Sequence, residues 1–72
     1  MSLIAAKTLL AEALQVDVSL IEDDLMLGGI DEWDSLAHMR LLTAIEEKLG
    51  VPLDAETAAG IESLADVARV LA

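Results

Sequence analysis

Apolar side chains in this chain recur three and four residues apart in several segments, and no segment alternates apolar with polar residues. A period near 3.6 residues puts the repeated side chains on one face of an α-helix, whereas a half-buried strand needs a period of two. The sequence therefore predicts an all-α fold. We expect one domain over residues 1–72, a small four-helix bundle of three main helices, one short helix and a long first loop.

Capping residues and helix breakers set the predicted helix boundaries. Ser2 can cap a first helix, whose apolar stripe is Leu3, Ala6, Leu10, Ala13 and Leu14. The second helix is predicted from Ser35 to Leu49, because Gly50 and Pro52 stop it there. Its inner stripe is predicted to consist of Met39, Leu41, Leu42, Ile45 and Leu49.

Two further helices and the first loop follow from the same signals. Asp54 is predicted to cap a short helix over residues 55–59, and Ser63 with Asp66 to cap a last helix. Residues 16–34 have no period and form a loop with one short turn, for which Ser19 and Glu22 are a capping-box pattern. The loop should bend at Gly28-Gly29 and be held to the core by Leu25, Leu27 and Ile30.

Composition narrows the classes of function. Fourteen acidic against four basic residues give a net charge of −10, which argues against nucleic acid and an anionic membrane as partners. The core must be aliphatic, since Trp33 is the only aromatic residue, and it could open to admit an apolar guest. Cysteine is absent, and no signal peptide or spanning segment is recognisable, so the cytoplasm is the expected compartment.

Neither a metal site nor an enzyme active site is predicted. A calcium loop starting at Asp23 would place Leu25 and Leu27 where oxygen ligands are required. The one histidine, His38, has no cysteine or second histidine with which to form a nucleophile pair. A chain of 72 residues also leaves no room for a deep catalytic cleft, so no catalysis is expected.

The tripeptide Asp34-Ser35-Leu36 lies where the loop gives way to the second helix. A serine there exposes its hydroxyl beside amides that have no partner within the helix, and this end of a helix favours a phosphate ester. Taken alone, the tripeptide is also explained by Asp34 or Ser35 acting as a simple N-cap.

The surrounding sequence resembles the acyl carrier protein family. The stretch from Gly29 to Leu36 reads GIDEWDSL and opens a helix that continues as LLTAIEEKL from Leu41. The helical layout, length and acidity resemble that family over essentially the whole chain.

This resemblance implies that Ser35 carries a 4′-phosphopantetheine, transferred from coenzyme A by a separate phosphopantetheinyl transferase. Asp34 would help to hold that enzyme's Mg²⁺ and substrate during modification. An acyl thioester would ride on the arm, sheltered by a pocket lined with Leu27, Met39, Leu41, Leu42, Ile45, Leu53, Ala58 and Ile61. Loading ligases and downstream transferases or synthases would be further partners of a monomeric carrier.

The surface that would meet those partners departs from the commonest family pattern. It is predicted to consist of Leu36, Ala37, His38, Arg40, Glu46 and Glu47. Fatty-acid carriers usually have acidic residues where this chain has Ala37 and Arg40, so a specialised pathway is favoured over housekeeping fatty acid synthesis. His38 is better explained as a solvated helix residue than as a contact to the arm or a partner, and Trp33 is expected to cover the loop with its N–H near water.

Two alternatives stay open at this point. The cargo could be an aminoacyl group instead of a fatty acyl or polyketide group. An unmodified helical adaptor that binds proteins through the same acidic bundle would differ only in lacking the arm.

Overall fold

The computed structural model describes residues 3–72 and confirms the all-α prediction. Its helices are α1 (Leu3–Leu14), α2 (Ser35–Leu49), α3 (Ala55–Ala59) and α4 (Leu64–Leu71), with a single 3₁₀ turn at Val18–Leu20 in the first loop. The described residues contain no strand, only an isolated antiparallel bridge between Met26 and Ser63. The predicted Ser2 cap lies outside the described residues. No helix in residues 3–72 is both long and apolar enough to span a lipid bilayer.

The ends of α1 and α2 show why these helices stop where they do. Gln15 follows α1 in the left-handed conformation, with φ 61°. The amide of Val16 then reaches back to the Ala11 carbonyl oxygen at 3.0 Å, and that of Gln15 to the Glu12 oxygen at 3.2 Å. These two bonds satisfy carbonyl groups of the last turn, as in a Schellman motif. Gly50 ends α2 with φ 77°, the role predicted for it.

The core lies where α1 packs against both α2 and α4. Its largest fully buried side chain is Trp33, which comes from the loop, and aliphatic residues from every main helix surround it. On α2 the buried residues are Ala37, Leu41 and Ile45. The predicted inner stripe is therefore wrong at Met39 and Leu49, which are 67% and 37% exposed.

The cause of this error is a rotation of α2 about its own axis. Leu41 and Leu42 are adjacent and equally apolar, but they point about 100° apart. The packing against α1 selects Leu41, and with it Ala37 and Ile45 at spacings of four residues. Leu42 is left half-buried at the edge of the core.

The first loop is fastened to the connection before α4. The Leu64 amide donates to the Leu25 carbonyl oxygen at 2.9 Å, and the Leu27 amide to the Glu62 oxygen at 2.9 Å. Leu25 is buried as predicted, but the Leu27 side chain is 40% exposed because its main chain, and not its side chain, makes the connection. The 3₁₀ turn is capped by Asp17, which accepts from the Ser19 amide at 2.8 Å, so the predicted Ser19–Glu22 box is wrong.

The bend at Gly28-Gly29 has a steric basis in both residues. Gly28 adopts φ 84°, a conformation that residues with a Cβ rarely take. At Gly29 a Cβ would lie 2.8 Å from the Met26 carbonyl oxygen, to which the Gly29 amide donates at 2.7 Å. This tight turn directs the chain from the exposed loop toward Trp33 and the start of α2.

Candidate functional site

Ser35 occupies the first helical position of α2 and is exposed to solvent. The N-cap is Asp34, in an extended conformation, whose carboxylate accepts from the Ala37 amide at 2.8 Å. Capping therefore does not depend on Ser35, whose hydroxyl takes part in none of the side-chain hydrogen bonds found in this part of the chain. A serine in this position offers an accessible oxygen next to the positive end of the helix dipole.

Trp33, which precedes α2, is hydrogen-bonded to the first turns of this helix. The indole N–H donates to Nδ1 of His38 across 3.0 Å. The ring planes are tilted by 32° with centroids 6.0 Å apart, so the rings meet through this hydrogen bond and are not stacked. Trp33 is fully buried and its N–H is not near water, which corrects the expectation from the sequence.

His38 is half-buried on the inner side of α2. It is therefore not a freely solvated residue, and its predicted contact with a partner stays a prediction. Burial lowers the pKa of its imidazole below the usual 6.5, and a hydrogen bond to the main chain of Ile61 opposes that shift without outweighing it. An indole N–H can only donate, so Nδ1 must be unprotonated and the neutral ring carries its proton on Nε2.

The outer face of α2 carries a shallow apolar hollow of about 320 Å³. Its lining is one stripe along the helix, at spacings of three and four residues: Leu36, Met39, Arg40, Thr43, Ala44 and Glu47. Leu36 and Met39 are 66% and 67% exposed, so this face of the helix presents two neighbouring large apolar side chains. Leu36, Arg40 and Glu47 were predicted to lie on a common surface, and they do.

The other predicted partner residues have different roles. Ala37 is only 1% exposed, so it is withdrawn as a partner contact. Glu46 is half-buried and its carboxylate accepts from the Leu53 amide at 2.8 Å, which holds the connection to α3. Arg40 donates from Nε to the Ala13 carbonyl oxygen at 3.1 Å, so this exposed residue also closes the last turn of α1.

The residues predicted to line the acyl pocket differ widely in their burial. Leu41, Ile45 and Ile61 are packed inside the core, at most 1% exposed. Leu42, Leu53 and Ala58 are half-buried, whereas Leu27 and Met39 lie largely on the surface. Trp33 fills the centre that an aliphatic core would have left adaptable. Met39 therefore lines the outer hollow and not the predicted pocket.

Sequence reasoning missed three members of the hollow, namely Met39, Thr43 and Ala44. Their signal was present in the chain, because they follow Leu36 at the spacing of a single helical face. The prediction missed this outer face because it assigned Met39 to the inner stripe of α2. The Trp33–His38 pair was missed as well, since it depends on side-chain rotamers that a sequence pattern does not report.

Comparisons with known proteins add one finding to this geometry. A family model described as a phosphopantetheine attachment site matches residues 5–71. The match spans nearly all of the described chain and covers α1 from residue 5 and the other three helices in full. No curated protein and no solved structure matches the chain significantly.

Proposed function

The chain belongs to the family of phosphopantetheine attachment domains, and from that premise we propose that Ser35 is the residue that bears the arm. Domains of this family are carriers that hold 4′-phosphopantetheine covalently and are modified by a phosphopantetheinyl transferase. The observation that carries the proposal is the exposed Ser35 at the first position of α2, with its cap supplied by Asp34.

The residues around Ser35 suit the phosphodiester that would form there. The N-terminus of α2 favours an anion by ~0.3–1 kcal/mol. The Asp34 carboxylate is already engaged with the Ala37 amide, which limits its repulsion of the phosphate. Exposed Leu36 lies directly after the attachment point, where an arm leaving the protein would pass it.

In the proposed modification, Ser35 Oγ loses its proton to a base of the transferase. It forms a bond to the phosphorus that bears the pantetheine arm of coenzyme A. The phosphoanhydride bond between that phosphorus and the 5′-phosphate of the nucleotide breaks, and adenosine 3′,5′-bisphosphate leaves. Asp34 is proposed to contribute to the transferase's Mg²⁺ site in the encounter complex, which would require its carboxylate to turn from the Ala37 amide.

We propose an acyl group, held as a thioester on the arm, as the cargo. Mixed charge along the outer hollow, with Arg40 and Glu47 on one stripe, supports a specialised pathway such as polyketide synthesis over housekeeping fatty acid synthesis. An aminoacyl group would be carried with the same chemistry and is the alternative cargo. In either case the domain has no catalysis of its own, acts as a monomer and works in the cytoplasm.

The outer hollow is the proposed docking surface for partner enzymes, which include the transferase, a loading ligase and downstream transferases or synthases. Leu36 and Met39 would supply the apolar contact, as exposed large side chains often do at interfaces. Arg40 would present its guanidinium from a position fixed by the Ala13 carbonyl oxygen. An unmodified adaptor would use this same hollow, so modification of Ser35 separates the two functions.

Intact-protein mass spectrometry after incubation with coenzyme A and a broad-specificity phosphopantetheinyl transferase tests the proposal. We expect one added phosphopantetheine on the wild-type chain and none on Ser35→Ala. Ser19→Ala is the matched control, because Ser19 is also exposed and lies in an aspartate-capped turn. Modification that persists in Ser35→Ala, or no modification of the folded wild type, would contradict the assignment.

Since Asp34 provides the cap, Ser35→Ala should leave the free energy of unfolding within about 0.5 kcal/mol of wild type. Thermal unfolding followed by circular dichroism measures this. A large loss of stability would mean that Ser35 has a structural role, and its failure to load would then say nothing about attachment.

A further inference from the structure

We propose that the hydrogen bond between Trp33 and His38 is a proton-sensitive latch that positions Ser35 for loading. The Trp33–His38 latch, as we call this pair, closes the chain on itself across residues 33–38, with Ser35 inside the closed segment. The effect on loading rests on the proposed attachment at Ser35. The latch itself does not, and it can be tested without any modification.

The closed segment is held at both ends. At its start, the Trp33 carbonyl oxygen accepts from the Gly28 amide and the Trp33 amide donates to the Ile30 oxygen, each at 3.1 Å. At its end, the His38 amide donates to the Asp34 carbonyl oxygen at 2.8 Å as the first turn of α2 forms. The side-chain bond joins the two ends, so the orientation of Asp34 and Ser35 depends on where Trp33 lies.

Protonation of His38 is incompatible with this arrangement. A second proton on the ring must go to Nδ1, which would place two donors against each other over 3.0 Å. If the imidazole turned out to water, the fully buried indole N–H would be left without an acceptor, at the cost of an unpaired buried donor. If the indole moved instead, the chain leading to Asp34 would move with it. Either movement opens the latch.

The direction of the pH effect follows from His38. Its pKa is lowered in the folded chain, chiefly by burial, so the unfolded chain binds the proton more readily. The stabilisation from the latch is therefore fully present above pH 6.5 and is lost as the pH falls through the lowered pKa. The charged residues on the segments that meet at His38 are all exposed to solvent: Asp31, Glu32, Asp34, Arg40 and Glu62.

One histidine and one tryptophan make the latch directly observable. In the unmodified protein, NMR would follow the His38 ring protons and the Trp33 indole N–H resonance from pH 8 to pH 4.5. We expect the indole resonance to shift with the same midpoint as the His38 titration, below 6.5. An indole resonance that stays constant while His38 titrates would overturn the latch.

Two variants separate the latch from other acid effects. In His38→Asn the amide oxygen can stand where Nδ1 stood, so the indole bond should persist and lose its dependence on pH through this range. In Trp33→Phe the donor is gone, so the pKa of His38 should rise relative to wild type. An unchanged pKa in Trp33→Phe would show that the indole bond does not hold the neutral imidazole.

The loading rate connects the latch to Ser35. Initial rates of phosphopantetheine transfer from coenzyme A are compared for wild type and His38→Asn at each pH, so that the transferase's own pH dependence cancels in the ratio. The ratio of the wild-type rate to the His38→Asn rate should be constant above pH 7. At lower pH it should fall in proportion to the neutral fraction of His38 in the wild type. A constant ratio at all pH values would overturn the positioning role. Absence of modification in both proteins would instead overturn the attachment at Ser35, and the NMR titration would still decide the latch.

Discussion

Both α2 and α3 begin behind an aspartate whose carboxylate accepts from the third amide of the helix, Asp34 from Ala37 at 2.8 Å and Asp54 from Thr57 at 2.7 Å. Behind the first cap lies the fully buried Trp33, bonded to His38, whereas α3 buries none of its own residues. The two helices therefore begin with caps of the same geometry, but only the start of α2 is packed against a buried core residue. The residue proposed to bear the arm lies on the helix whose start is anchored in the core.

The short helix α3 is instead held in place by contacts of the residues that precede and follow it. On one side the Leu53 amide is fixed by the Glu46 carboxylate, and on the other Ile61 is buried. A helix of five residues that buries no residue of its own gains little from packing and is marginal by itself. We therefore expect α3 to open at a lower free energy than α2. We propose that an opening at α3, which contains half-buried Ala58 and follows half-buried Leu53, would give an acyl chain a route to the core.

Removing the anchor of α2 should have the largest effect. Trp33→Ala deletes the largest fully buried side chain, and we expect it to lower the free energy of unfolding by ~3–5 kcal/mol. That equals the net stability expected of a core this size, so the variant should be largely unfolded. Thr57→Ala, on the exposed face of α3, is the contrasting change and should stay within about 0.5 kcal/mol of wild type. Denaturant unfolding followed by circular dichroism measures both.

A Trp33→Ala protein that unfolds like wild type would contradict the proposed difference between α2 and α3. It would mean that the aliphatic core closes around the missing indole and that Trp33 does not organise the start of α2. A strongly destabilised Thr57→Ala would do the same from the other side.

Local signals were sufficient to predict most of the fold. Gly50, Pro52, Asp54 and Gly60 act on the backbone within a few residues, which is why the bounds of α2 and α3 agree with the prediction. The cap of the turn in the first loop was predicted wrongly, because Asp17 and Ser19 are both residues that can cap a turn and the structure uses Asp17.

The candidate site was predictable in its motif and not in its surroundings. Asp34-Ser35-Leu36 could be found in the sequence and assigned a role by resemblance to a family. Arg40 closing α1 at Ala13 joins residues 27 positions apart. The Trp33–His38 bond depends on the rotamers of one buried and one half-buried side chain. Such contacts are fixed by tertiary packing, so the apolar pattern that predicts the helices contains no information on them.

The external support of α3 can be tested through two adjacent glutamates. Glu46→Ala removes the acceptor for the Leu53 amide, and we expect a loss of ~1 kcal/mol in the free energy of unfolding. Glu47→Ala is the matched control, since exposed Glu47 lies on the outer hollow and should cost less than about 0.5 kcal/mol. Hydrogen exchange should also accelerate in α3 for Glu46→Ala alone. Equal effects of the two variants would contradict an internal role for Glu46 and return it to the partner surface.

Removing the two aspartate caps in turn gives the most direct test of the comparison. Asp34→Ala should lower the free energy of unfolding by ~1 kcal/mol, because the first turn of α2 is part of the cooperative core. Asp54→Ala removes a bond of the same geometry, but it should melt only α3 and reduce global stability less. Denaturant unfolding should therefore separate the two variants, while amide exchange should show the Asp54→Ala effect confined to residues near Thr57. If both variants lose the same global stability, α3 is as much a part of the cooperative core as α2, and the opening proposed for an acyl chain would have to lie elsewhere.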